Sequence, residues 1–167
     1  MTDRMTPEQR HRCMSRIRSI DTKPEMVVRK YLFARGYRYR LHVKRLPGRP
    51  DIVLKKYHTV IFVNGCFWHG HEGCKYYVIP KTRSDFWKAK IERNQERDKK
   101  EHDELKKMGW NIMTIWECQL MPKVRQQTLK EVEYCINRSF LEIAAKKYSF
   151  GEEESLKVAE KEIEYGK

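Results

Sequence analysis

The spacing of polar and apolar positions changes several times along the chain, and each change marks an element. Val27, Val28, Tyr31 and Leu32 recur at the interval of one helical face. Thr22-Lys23-Pro24-Glu25 precedes them as a capping box, and Gly36 supplies the stop. Tyr37–Val43 alternates as a strand does, and Leu46-Pro47-Gly48-Arg49-Pro50 reads as a turn. Asp51–Leu54 and Thr59–Val63 follow as two strands around the loop Lys55–His58. The second is apolar on both faces, as a central buried strand is. Ser84 is read as the cap of a long charged helix ending near Met108-Gly109. Trp110–Trp116 is a further strand, and Pro122 precedes a last helix to about Ala145. Ahead of all these, Thr6-Pro7-Glu8-Gln9 opens a short helix to about Ile17, too poor in apolar residues (Met14, Ile17) to pack as a core helix. The order is α-α-β-β-β-α-β-α. It predicts an α/β protein with a mixed sheet flanked by helices, not a doubly wound nucleotide-binding fold.

The length of 167 residues suits a single domain with a real core. The expected organisation is one domain over 1–145, with 1–20 as a basic arm, and a charged tail over 146–167. No run of about 18 or more apolar residues is present, so no membrane span is expected. The first residues, MTDRMTPEQR, lack an apolar signal core, which points to a cytoplasmic protein.

Net charge changes the picture more than composition does. The chain carries +13, and residues 1–50 hold fourteen Lys/Arg against four Asp/Glu, whereas the tail from Lys146 is about neutral. Charge of one sign concentrated in the N-terminal third suits a polyanionic partner, and nucleic acid is the reading favoured here. Arg10, Arg12, Arg16 and Arg18 give the first helix the character of a nucleic-acid-contacting arm.

Five cysteines, an odd number, argue for metal binding or burial rather than a disulfide framework. Cys66, His69, His71 and Cys74 lie within nine residues, and Cys118 follows the strand Trp110–Trp116. A structural zinc site wants four Cys/His ligands, often a local cluster closed by a remote residue. Cys66, Cys74, Cys118 and one of the two histidines meet that need; spacing does not choose between His69 and His71. Cys13 and Cys135 have no partners nearby in sequence and read as bystanders.

Asp51 stands at the head of a buried strand, where an acid is disfavoured and costly without a partner. A divalent cation such as Mg²⁺, which takes hard oxygen ligands, would supply one. Capping of the Gly48-Arg49-Pro50 bend is the competing explanation. Glu25 has two readings of equal standing: a second carboxylate at that cation, or the third helical residue of a capping box. Phe67, Trp68 and Trp87 are either core aromatics or a stacking surface.

Four separated blocks resemble those of the very short patch repair (Vsr) endonucleases. They are Leu46-Pro47-Gly48-Arg49-Pro50-Asp51, Val60–His69 (VIFVNGCFWH), Thr82-Arg83-Ser84-Asp85-Phe86-Trp87 and Trp116-Glu117-Cys118. The resemblance runs in order from about Arg10 to about Cys135. It implies a restriction-endonuclease-like fold and Mg²⁺-dependent nicking of duplex DNA 5′ to the T of a T:G mismatch. Carried over by position, Asp51 binds Mg²⁺ directly, the Val63 carbonyl completes the protein ligands, and Glu25 acts through a water. His69 becomes the catalytic histidine, which leaves His71 to zinc with Cys66, Cys74 and Cys118. Phe67, Trp68 and Trp87 match an aromatic wedge that enters the duplex, and Met14 matches a residue approaching from the minor groove. Arg16 and Arg49 are assigned to DNA contact.

The chain departs from well-studied members at Val63 and Asn64, where they carry Thr and His. A carbonyl ligand survives the first change. At the second, Asn64 can hydrogen-bond a phosphate but cannot transfer a proton. The implied partners are T:G mismatched DNA, mismatch-repair proteins and a cytosine methyltransferase system, for a monomeric enzyme. Two alternatives compete: a restriction-type or structure-selective nuclease without mismatch preference, and a non-catalytic zinc DNA-binding module.

Overall fold

A four-stranded mixed sheet with helices on both faces organises the chain. The computed structural model describes residues 6–16 and 18–164, and side chains are described through position 145 except at 7, 10 and 13. The expectations for Ile17, Arg10, Cys13 and the side chains of the tail lie outside the described residues. The elements are α1 (Pro7–Ser15), α2 (Lys23–Ala34), β1 (Arg40–Leu41), β2 (Ile52–Leu54), β3 (Thr59–Asn64), α3 (Ser84–Lys107), β4 (Asn111–Trp116) and α4 (Arg125–Glu164). The sheet order is β1-β2-β3-β4. The first two pairings are antiparallel, and β3 and β4 run parallel, with α3 between them in the chain. A parallel pair needs such a crossover, because its strands must start at the same end.

Alternation along the strands divides the core between the two faces. Ile52, Leu54, Ile61 and Ile115 pack with Val28 and Leu32 of α2 and with Leu129, Val132 and Ile136 of α4. Val53, Val60 and Phe62 face the opposite way, onto Leu105 of α3. The central strand β3 is covered on both sides, as its apolar run required.

Several boundaries differ from the pattern reading, each for a physical reason. Tyr37–Val43 pairs only at Arg40 and Leu41. Tyr37 is instead a core residue whose hydroxyl donates to Asn137 Oδ1 at 2.8 Å, and His42 turns left-handed at φ 45°, ending the strand. Ser84 is not a cap: that position belongs to Arg83, left-handed at φ 56°, with no side-chain capping bond. Trp110 leaves β4 to stack face to face on His58, with ring centroids 4.3 Å apart. The last helix starts at Arg125 and continues past Ala145 to Glu164. Both capping threonines are in place, and at α1 the box is reciprocal: Gln9 N–H donates to Thr6 Oγ1 at 3.2 Å and Thr6 N–H to Gln9 Oε1 at 3.0 Å. None of the described helices is long and apolar enough to cross a membrane.

Candidate active site

The parallel register determines where the chemistry gathers. Pairing of Asn64 with Trp116 brings the ends of β3 and β4 level, so the loop after Asn64 and the turn after Trp116 leave the sheet side by side. Cys66 and Cys118 therefore meet, although 52 positions separate them in the chain. The ligand atoms of Cys66, His71, Cys74 and Cys118 all lie within 4.8 Å of one another. Cys118 Sγ is 3.4 Å from His71 Nδ1. In a zinc tetrahedron with Zn–S about 2.3 Å and Zn–N about 2.1 Å, that edge is about 3.6 Å. The His71 ring lies flat on Trp116, centroids 4.1 Å apart and planes 2° from parallel, which fixes its direction. Burial pushes the Cys66 thiol up to about 12. Cys118 is also raised by burial, while a backbone N–H from Tyr76 lowers Cys74. Three sulfurs and an imidazole crowded in this way are a donor set that a soft, thiolate-binding cation fits.

His69 points elsewhere. Its Nδ1 is 2.5 Å from Asp98 Oδ2, on α3. Burial raises the Asp98 carboxyl, but His69 and Arg97 outweigh it and hold the group below the usual carboxylate range. Helix α3 also grips the loop at two further points: Asn94 Nδ2 donates to the Trp68 carbonyl at 2.9 Å and Gln95 Nε2 to that of Gly70 at 3.1 Å. Gly70 needs its missing side chain here, because at φ 62° a Cβ would sit 2.4 Å from Gln95 Nε2. Asn94, Gln95 and Asp98 were not singled out from sequence, since nothing separates them from the other polar residues of a heavily charged helix.

Asp51 and His69 face one cleft, of about 410 Å³, which is also lined by His42, Arg49, Val63, Asn64 and Asp98. The antiparallel register Ile52↔Ile61 sets Asp51 beside the end of β3, where Val63 N–H donates to its Oδ2 at 2.7 Å. That bond leaves Oδ1 toward the cleft. Burial raises the Asp51 carboxyl, the Val63 N–H opposes it, and the charge of Glu25 adds to the rise. A partly buried acid close to a second acid is a donor set that a divalent cation fits. Glu25 is 1% exposed. Its N–H takes the Thr22 cap at 3.3 Å, but its carboxylate turns inward to Arg29 Nη1 at 3.1 Å and His42 Nε2 at 3.3 Å. The capping reading therefore holds for the Glu25 backbone and not for its carboxylate.

Asn64 is buried at the end of β3 and borders the cleft. Phe67, Trp68 and Trp87 form a half-buried cluster of their own, with centroids 5.2–6.0 Å apart, and belong to neither face of the core. Met14 is 41% exposed on α1, and Arg16 and Arg49 are exposed. The chain after α1 borders the cleft at Ser19 and Ile20, and Arg18 lies with Trp68 and Lys90 around an adjoining recess of about 480 Å³.

An acid fit for a hard cation, an imidazole–carboxylate dyad and a basic rim together suit a hydrolase acting on a phosphodiester. The comparisons make this more specific. The family model for the DNA mismatch endonuclease Vsr matches residues 2–75. The chain is 51% identical over 123 residues to the type II nicking enzyme V.NmeAIP of Neisseria meningitidis, covering 74% of this chain and 87% of that one. It is 49% identical over 120 residues to V.XorIIP of Xanthomonas oryzae pv. oryzae, covering 72% and 88%. It is 39% identical over 120 residues to the DNA mismatch endonuclease Vsr of Escherichia coli, covering 72% and 76%. The chain belongs to the Vsr family of DNA mismatch endonucleases.

Proposed function

We propose that this protein is a DNA mismatch endonuclease that nicks duplex DNA 5′ to the T of a T:G mismatch by Mg²⁺-dependent phosphodiester hydrolysis. The observation that carries the reading is one cleft lined by Asp51, by the His69–Asp98 dyad and by exposed Arg49. Mg²⁺ held by Asp51 and the Val63 carbonyl would neutralise charge on the scissile phosphate and make a water easier to deprotonate. His69, with Nδ1 bonded to Asp98, presents Nε2 as the proton acceptor. Asp98 fixes the tautomer and stabilises the imidazolium that forms. Asn64 holds a phosphate oxygen by hydrogen bonding. Cys66, His71, Cys74 and Cys118 hold structural Zn²⁺, tying the ends of β3 and β4 together. On this reading the fold is restriction-endonuclease-like, residues 1–145 form one domain with a charged tail over 146–167, and a monomer acts in the cytoplasm. Mismatch-repair proteins and a cytosine methyltransferase system are its proposed partners.

The aromatic cluster supports mismatch recognition. Side chains outside both core faces are free to stack on bases, and a mismatched step opens at least cost. Met14 and Arg16 on the arm approach the same DNA. Several relatives are named type II nicking enzymes, which keeps alive the alternative of nicking without mismatch preference. Nicking of T:G and matched duplexes of one sequence separates the two readings: equal rates sink the mismatch assignment. Trp68→Ala should weaken T:G binding by about 1–3 kcal/mol, the range for stacking of one base. Its loss on matched DNA should be smaller, and its melting temperature near that of the parent. A lower melting temperature with an unchanged T:G-to-matched ratio assigns Trp68 to packing.

The dyad gives a prediction of its own. His69→Ala should slow nicking by about 10²–10⁴-fold, and Asp98→Asn by less, since the base remains but loses its orientation. The folded Asp98 carboxyl lies below its unfolded value, so its stabilisation is full at neutral pH and is lost as pH falls through the carboxylate range. Asp98→Asn should therefore remove part of the acid-side fall in melting temperature. Identical acid-side profiles for parent and variant would contradict the pairing.

A further inference from the structure

His42 lines the cleft, yet the hydrolysis above gives it no task. It follows β1 directly, at φ 45°, a region where His, Asn and Asp are the common non-glycine residues. Its two ring nitrogens face two different carboxylates. Nδ1 is 3.8 Å from Asp51 Oδ1, the oxygen left over by the Val63 N–H. Nε2 is fully buried and 3.3 Å from Glu25 Oε1, without the alignment of a full hydrogen bond. Glu25 itself does not border the cleft. It is sealed behind His42, with Arg29 on its other side. Asp21 approaches the group as well, but its carboxylate is engaged by Arg29.

These positions approach the carboxylate–histidine–metal arrangement, in which one ring nitrogen donates to a buried acid and the other turns its lone pair to a cation; a small turn of the His42 ring would align Nε2–H with Glu25 Oε1. Two donors about 2.1 Å from one cation lie about 3.0 Å apart at right angles and about 4.2 Å apart when opposite. The 3.8 Å between Nδ1 and Oδ1 lies between those two positions, so a shift of less than about 1 Å brings the pair to either. We propose that His42 is a ligand of the cation held by Asp51, through Nδ1, and that Glu25 acts on that cation through the imidazole rather than through water. The centre is then a mixed nitrogen–oxygen site. Imidazole suits transition ions, whereas carboxylate and carbonyl oxygens alone suit Mg²⁺. The site therefore binds Mn²⁺ or Co²⁺ more tightly, relative to Mg²⁺, than Asp51 and the Val63 carbonyl alone would. The inference rests on the reading that Asp51 holds a divalent cation.

The test uses the full-length protein with its zinc site loaded, and Mn²⁺ alone as the probe, without DNA. Electron spin-echo modulation of bound Mn²⁺ should show a directly coordinated nitrogen. That signal should persist in His69→Gln and vanish in His42→Asn, a replacement that tolerates the left-handed backbone. Mn²⁺ affinity should fall about tenfold or more in His42→Asn, while Mg²⁺ affinity, read by competition, falls much less. If His42→Asn melts early, His42→Gln carries the same readout. Persistence of the nitrogen signal without His42, or equal loss of both metals, overturns the inference while Asp51 keeps its role. Unchanged Mn²⁺ binding in Asp51→Asn overturns the underlying reading, and this one with it.

Discussion

Asp51→Asn should leave a folded protein that binds T:G duplex in EDTA but nicks it about 10³-fold or more slowly. A cation at a reacting phosphate supplies several kcal/mol of charge stabilisation, and each 1.36 kcal/mol is about a factor of ten in rate. Asparagine keeps an oxygen for the Val63 N–H, so the end of β3 stays anchored. It also removes a partly buried negative charge lying close to Glu25. The Asp51 carboxyl is raised in the fold, so its ionisation disfavours the folded state as pH rises through the folded value. In EDTA at neutral pH the variant should accordingly melt no lower than the parent. DNA affinity in EDTA should hold or improve, since a charge that repels phosphate is gone. Single-turnover nicking, melting temperature and affinity in EDTA check all three. Near-normal cleavage by a folded variant would remove Asp51 from the active site.

Cys118→Ser should abolish stable folding, not merely turnover. Apparent binding energies of structural zinc in small peptides are about 10–16 kcal/mol, against about 5–15 kcal/mol for the whole stability of a typical domain. The lost ligand comes from the turn after β4 and closes onto a loop after β3, so its removal frees two ends of the parallel pair at once. The protein should copurify with one zinc per chain. A strong zinc chelator should lower its melting temperature steeply, whereas dialysis into Mg²⁺-free buffer without chelator should not. Cys135→Ser, at an exposed thiol outside the cluster, is the control and should melt as the parent does. Folded, zinc-free protein with a parental melting temperature would refute the assignment.

Much of this protein is legible in its sequence. The helix starts at Thr6 and Thr22 and the stop at Gly36 depend on residues a few positions apart. The buried strand Thr59–Asn64 announced itself by an apolar run, and the order of elements followed from changes of period. Short windows contain the causes of such features: one turn of helix, one pleat of strand, one cap. Cys66, His71 and Cys74 lie close enough in the chain to be read as a ligand cluster, and Cys118 was recognisable because it follows directly on a strand. The reading failed at strand ends and at the Ser84 cap. There φ at His42 and Arg83 is left-handed, and neighbouring residue types alone did not reveal it.

What the sequence determined by itself is therefore the local part: the periods, the caps, the asymmetric charge and the supply of thiols, imidazoles and acids. Tertiary structure alone decided which of these meet. Spacing left His69 and His71 equivalent as ligands; the family resemblance separated them, and packing is what physically turns His71 onto Trp116 toward Cys118 and His69 onto Asp98. Spacing also left the Glu25 carboxylate free to cap its helix, but docking of α2 against the sheet buried it behind His42. The physical reason is the same in each case. A side chain's partner is chosen by the register of β3 on β4 and by how the helices dock on the sheet, and those arise from contacts summed over the whole core.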